Sequence, residues 1–204
     1  MKRLLISAGM ALSALFLIGC ASNSGTAAPS ASVAPIVNPD PSGTVDLLDG
    51  FEEGMYWQAV AGSWNSDDCS EDISESSDWA SEGSTSALFE YHAGSAEKAA
   101  NGGDKATFFC DSLVITDLTE YKDIVLDVNN TTSGTIDLVV VIQDTNWAWC
   151  QSAPQTLGNG VNKNVTFSLK DMNIPDPSAV HRMCVCLFQE NDGPIAVDNI
   201  RLVK

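Results

Sequence analysis

The sequence predicts an all-β domain, a β-sandwich of the jelly-roll type, over residues 45–204. Short runs rich in Val, Ile, Phe, Tyr and Trp recur there, separated by clusters of Gly, Asn, Asp, Ser and Pro. Within the runs apolar and polar residues alternate: Ile124, Leu126 and Val128 share one face, as do Ile136, Leu138, Val140 and Ile142, and Val165, Phe167 and Leu169 alternate with Thr166 and Ser168. Period two repeated this often indicates antiparallel sheets with a buried face, and no segment carries a long period-3.6 pattern. Eight strands follow: Val45–Leu48, Ser86–Tyr91, Ala106–Cys110, Ile124–Val128, Ile136–Gln143, Val165–Leu169, Met183–Phe188 and Ile195–Val203. That number in roughly 160 residues fits a jelly roll. An immunoglobulin-like sandwich is the rival, and it usually needs only about 100 residues.

The chain before this domain reads differently. Met1-Lys2-Arg3 is a short basic start, and Leu4 to Gly19 is uncharged and apolar. This is short for a membrane span and reads as a signal peptide, residues 1–19. It closes on Leu17-Ile18-Gly19-Cys20, which resembles the lipobox of bacterial lipoproteins. The resemblance implies lipidation at Cys20 and a lipid-anchored place in the cell envelope. With Ala21 and Ser22 following and no Asp there, an outer membrane or cell surface is expected. Stable anchoring takes more than one acyl chain. Residues 20–44 complete the first part of the chain. The stretch after Cys20, ASNSGTAAPSASVAPIVNPDPSGT, lacks apolar periodicity and predicts a disordered tether.

Charge narrows the partners. The chain has 10 Lys+Arg against 27 Asp+Glu, a formal charge of −17. Such a surface repels nucleic acid and anionic headgroups, so no nucleic-acid partner is expected and membrane contact is expected through the anchor only. A monomer is expected. The acids concentrate in residues 65–83, where Asp67, Asp68, Glu71, Asp72, Glu75, Asp78 and Glu82 lie without a base. That run predicts a long solvated loop, with at most a helical turn, and lacks EF-hand spacing. Cys69, Cys110, Cys150, Cys184 and Cys186 allow at most two disulfides in an exported protein, and they lack zinc-site CxxC spacing.

Four motifs occur in order. Leu48-Asp49-Gly50-Phe51-Glu52-Glu53-Gly54 followed by Trp57 opens the domain, and Ser81-Glu82-Gly83-Ser84 precedes Ala87-Leu88. Asp117-Leu118-Thr119-Glu120-Tyr121-Lys122-Asp123-Ile124 leads into a central strand, and Ile195-Ala196-Val197-Asp198-Asn199-Ile200-Arg201-Leu202 closes the chain. Together they resemble jelly-roll carbohydrate-binding modules of the galactose-binding-like superfamily, across roughly residues 46–204. The resemblance implies a glycan-binding sheet face or loop. It also implies a structural calcium ion held by Glu52 and Asp198, with a backbone carbonyl from around Ser84. Calcium takes six to eight oxygen ligands, which paired carboxylates could begin. The alternative is that both carboxylates are end-of-strand acceptors satisfied by backbone N–H groups.

Sugar recognition uses aromatic faces for stacking and planar polar groups for hydroxyls. Asn146-Trp147-Ala148-Trp149-Cys150-Gln151 is the best candidate, because an extended backbone would set Trp147, Trp149 and Gln151 on one side. Trp57, Tyr91, Asp127 and Gln189 are further candidates, with His92 beside Tyr91 and with His181 and Arg182 at a strand rim. The competing reading places these rings in the core.

Catalytic signals are absent from the sequence. Only His92 and His181 are present, and no GxSxG, HExxH, P-loop or GxGxxG occurs. The expected function is a non-catalytic carbohydrate-binding lipoprotein that tethers polysaccharide or cell-wall glycan at the cell envelope. The alternatives are an adhesive β-sandwich with a protein partner and a small glycoside hydrolase.

Overall fold

Two antiparallel six-stranded sheets pack face to face in the computed structural model, which describes residues 32–94 and 105–204. The first sheet runs β10 (Gly160–Ser168), β6 (Asp123–Asn130), β12 (Ile195–Val203), β4 (Ser86–Tyr91) and β3 (Ser70–Ser76), with β1 (Val45–Asp49) paired to the last residues of β12. The second runs β2 (Trp57–Ala59), β5 (Ala106–Cys110), β11 (Val180–Phe188), β7 (Ile136–Asp144) and β8 (Cys150–Gln151), with β9 (Gln155–Leu157) on the start of β7. The protein is an all-β jelly-roll sandwich, as the alternation predicts. Among the described residues no α-helix occurs, only a 3-10 turn at Lys170–Met172. No helix among them is long and apolar enough to cross a membrane.

The core lies between the sheets. Phe89 on β4 stacks on Phe108 on β5, with ring centroids 4.1 Å apart, so one aromatic pair joins the two layers. Phe51 and Trp57 extend this aromatic group at 6.1–6.2 Å. Burying each such side chain removes it from water at a gain of about 1.5–3 kcal/mol.

All eight expected strands are present, and among the described residues four more accompany them: β2, β3, β8 and β9. The acidic run at 65–83, expected as a loop, contains β3. In Ser-Glu-Asp-Ile-Ser-Glu-Ser only Ile73 packs against the core, so the strand shows no apolar alternation. It is an edge strand, and charges there blunt pairing with other chains.

Part of the expected tether is fastened down. Ile36 and Asn38 exchange backbone bonds with Lys163, while Asn162 Oδ1 accepts from the Ile36 N–H at 2.8 Å. Asn164 Nδ2 donates to the Asn38 carbonyl and to Asp40. The segment thus runs along β10, with Gly158 so close beneath Val33–Pro35 that a Cβ would meet backbone atoms at 2.3–2.7 Å. Cys20 and the signal residues 1–19 lie outside the described residues. Cys110, Cys150, Cys184 and Cys186 form no disulfide among the described residues, and burial pushes the Cys186 thiol up to about 12.

Candidate functional site

The second sheet is apolar on both faces. Trp57, Cys110, Met183, Ile142 and Cys150 form one register row facing the core, whereas Gln58, Phe109, Cys184, Val141 and Gln151 form the next row facing outward. With Val60, Val139 and Cys186, the outward Phe109, Val141 and Cys184 make a second, smaller apolar cluster. Alternation sends Arg182, two residues before Cys184, to the same side.

Aromatic rings gather above that face. Trp64, in the segment after β2, meets Phe109 edge-on with centroids 5.0 Å apart. Trp147 meets the His181 ring edge-on at 4.5 Å. The Arg182 guanidinium carbon lies 4.3 Å from the Phe109 centroid and 4.8 Å from those of Trp64 and Trp147. Asp111, one residue past β5, takes Arg182 Nε and Nη2 at 2.5 and 2.7 Å, and this pair holds the guanidinium above its usual range. Lys105 Nζ sits 4.5 Å from the Trp149 centroid. Trp64, Trp147 and Trp149 remain 47%, 50% and 42% exposed, which leaves ring surface open to a ligand.

The segment 146–151 is a turn into a short strand, not one extended run. The Asp144 carbonyl accepts from Trp147 N–H at 2.9 Å, and its carboxylate Oδ1 accepts from Asn146 and Ala148 N–H. Trp147 is thereby held at φ 62°, a left-handed conformation that costs a non-glycine residue about 1–3 kcal/mol and concentrates at functional sites. The structure nevertheless brings Trp147, Trp149 and Gln151 to one exposed region. Gln151 Oε1 accepts from the Trp149 indole at 3.3 Å, and Gln143 donates to the Trp147 carbonyl.

The other sequence candidates lie elsewhere and are corrected here. Trp57 is core, and its indole N–H donates inward to Asp49 at 2.9 Å. Tyr91 is buried, its ring so tight against Gly193 that a Cβ there would meet it at 2.6 Å. Asp127 is buried in an ion pair with Arg201 at 3.2 Å and accepts from the Asn164 N–H at 2.7 Å. Gln189 is buried and donates to the His92 carbonyl; His92 itself faces Glu71 at 3.4 Å. Trp57, Tyr91, Asp127 and Gln189 are all buried, so none of the four is placed to meet a sugar hydroxyl.

The expected calcium ligands are engaged by N–H and O–H donors. Glu52 accepts from the backbone N–H groups of Ser84 and Thr85 at 2.7 and 2.8 Å, and from both hydroxyls. These bonds lower its carboxyl from 4.5 to about 2. Gly83 makes room for this, since a Cβ there would lie 2.4 Å from Glu52 Oε1. Asp198 accepts from Ser81 and Glu82 N–H at 2.6 and 3.0 Å, and burial raises its carboxyl despite them. Donor hydrogens aim positive charge at the oxygens a cation would need. Ser84 contributes its N–H and hydroxyl here. Among the described residues no group of three or more His, Cys, Asp or Glu is placed to hold a metal ion. This donor set does not fit calcium; it fits the alternative of backbone-satisfied carboxylates.

A separate cleft of about 270 Å³ is lined by Leu47, Asp49, Tyr56, Leu113 and Val114 among others. It offers one exposed ring, Tyr56, and no cation in its lining.

Sequence reasoning overlooked Trp64, Phe109, Asp111 and Lys105, and treated Arg182 only as a rim residue. The signal was present in part. Cys110 and Met183 face inward, so alternation sends Phe109, Asp111, Arg182 and Cys184 outward, and an apolar residue on the outward face marks a strand covered on both sides. Nothing local to Trp64 announces its partner.

No protein-family model matches the chain, and no curated protein matches it either. Solved structures share its fold. A family 28 carbohydrate-binding module described as specific for non-crystalline cellulose aligns with a TM-score of 0.56 and 21% identity, over 82% of this chain and 99% of that one. A family 11 module from Clostridium thermocellum, in complex with a β-1,3-1,4-mixed-linked tetrasaccharide, gives 0.56 and 15%, over 80% and 97%. The solution structure of the module designated CtCBM11 gives 0.59 and 14%, over 81% and 98%.

Proposed function

We propose that the chain is a non-catalytic glycan-binding module held at the cell envelope by lipid on Cys20. One observation carries the binding: three tryptophans, each about half exposed, collect on one outward sheet face beside Arg182 and Lys105. Exposed rings of this size are costly to leave in water, and a pyranose presents an apolar C–H face that fits them. Gln151 and His181 stand beside the rings and offer hydrogen bonds to hydroxyls. The fold neighbours that bind non-crystalline cellulose and mixed-linked β-glucan make neutral β-glucans the first ligands to try.

Affinity electrophoresis through mixed-linkage β-glucan and hydroxyethylcellulose tests the binding. The protein should be retarded, and Trp149→Ala should weaken retention at least tenfold, about 1.4 kcal/mol. Equal mobility with and without either polymer, and with laminarin and xylan as well, would reject the reading. The anchor rests on the Leu17–Cys20 motif. Cys20→Ser should move the protein from the membrane pellet to the soluble fraction; a variant that still pellets at high salt is anchored by something else.

A further inference from the structure

We propose that Arg182 is the positioning residue of this face, holding Trp64 and Trp147 as two arms of a single stacking platform while making no charge contact with the glycan. This rests on the glycan-binding reading above and adds Trp64 and Arg182 to its site.

Four separate stretches of chain meet at this guanidinium. Trp64 comes from the segment after β2, Phe109 and Asp111 from β5 and its end, Trp147 from the turn after β7, and Arg182 from β11. The register explains the meeting. Met183 pairs with Cys110, so Arg182 stands opposite Asp111 and on the same outward side as Phe109. On its other flank Arg182 pairs with Gln143, whose amide holds the Trp147 carbonyl. With both indole centroids 4.8 Å from the guanidinium carbon, the two rings lie no farther apart than twice that distance.

The guanidinium is engaged by the protein itself. Arg182 has a side chain only 12% exposed, and two of its five donors go to Asp111. Its charge is compensated by that carboxylate and its flat surface is spent on rings. A planar guanidinium can do both at once, whereas an ammonium has neither the fork nor the stacking surface. Half-exposed indoles with no such wedge would sample several rotamers, and ordering them would then be charged against each binding event.

The test uses the full chain, with soluble mixed-linkage β-glucan as the probe in titration calorimetry. It adds near-ultraviolet circular dichroism of the ligand-free protein. Arg182→Met should reduce the indole dichroism before any ligand is added, and should weaken glucan binding about tenfold with little change in melting temperature. Arg182→Lys should restore neither signal. Unchanged indole dichroism in Arg182→Met overturns the proposal whether or not glucan binds. If Arg182→Met does not fold, Asp111→Asn and Trp64→Ala carry the same readouts. Trp149→Ala, outside the Arg182 contacts, separates the two claims. If it weakens binding and the Arg182, Asp111 and Trp64 variants do not, the positioning role alone fails. If no variant alters binding, the glycan face itself is misplaced.

Discussion

The outward faces of the two sheets use similar residue types to opposite ends. On the first sheet, β6, β10 and β12 present Asp127, Asn164, Asp198, Asn199 and Arg201, and these close on one another. Arg201 Nη2 bonds Asp127 and Asn164, and its Nε bonds the Asn199 carbonyl across the irregular register between Asp198 and Arg201. On the second sheet, Arg182 also pairs with an aspartate, yet it is surrounded by rings whose far sides remain open. An ion pair enclosed by polar partners completes a fold. One enclosed by half-exposed aromatics leaves a surface for something else to cover. The neighbours of a charged group, more than the group itself, separate structure from site.

Removing one member of the closed network is the largest way to test that contrast. Asp127→Ala strands the Arg201 guanidinium, whose side chain is 13% exposed. Losing one partner of a buried pair typically costs about 3–5 kcal/mol. Urea denaturation should show a loss of that size, with glucan affinity at wild-type level for the fraction that remains folded. Trp149→Ala should show the reverse: weakened binding, and a stability change of about 0.5 kcal/mol or less, as for surface substitutions. If Trp149→Ala instead costs several kcal/mol, its ring is core and the two faces do not differ as argued.

Much of the scaffold could be read from the chain because period-two alternation is a local signal. It located eight strands, including Ile136–Gln143, one residue short of the observed β7, and Ile195–Val203. The alternation fails where a strand has one buried contact, as with Ile73 in β3, or is too short to repeat, as with Cys150–Gln151. The site was legible only in part. Trp147 and Trp149 are polar-flanked neighbours in sequence and could be singled out. Trp57 and Tyr91 could not be distinguished from them by type, since burial is decided by which strand each faces. Asp127 needed Arg201, 74 residues away, and Trp64 needed Arg182. Such pairings are long-range register effects, invisible to composition and motif.

The smallest expected effect concerns the turn that joins the opening and closing motifs. Glu52 is solvent-exposed, so water screens much of what its hydrogen bonds contribute, yet four donors fix its carboxylate form. Its folded-state value, about 2, lies below its ordinary 4.5. The folded state therefore binds the proton less readily than the unfolded chain, and stability falls as pH drops through this window. The contribution is complete above about pH 4.5 and gone once pH passes below about 2. Melting temperatures measured from pH 5.5 down to 2 should decline more steeply for wild type than for Glu52→Gln, which cannot titrate. Parallel curves would show that the Ser84–Thr85 donors do not hold the carboxylate in solution. The same melts at neutral pH address calcium. With Glu52 and Asp198 engaged by N–H groups, EGTA should leave the melting temperature unchanged. A fall on adding EGTA, reversed by Ca²⁺ and abolished by Asp198→Ala, would mean that the turn opens to trade its donors for a cation.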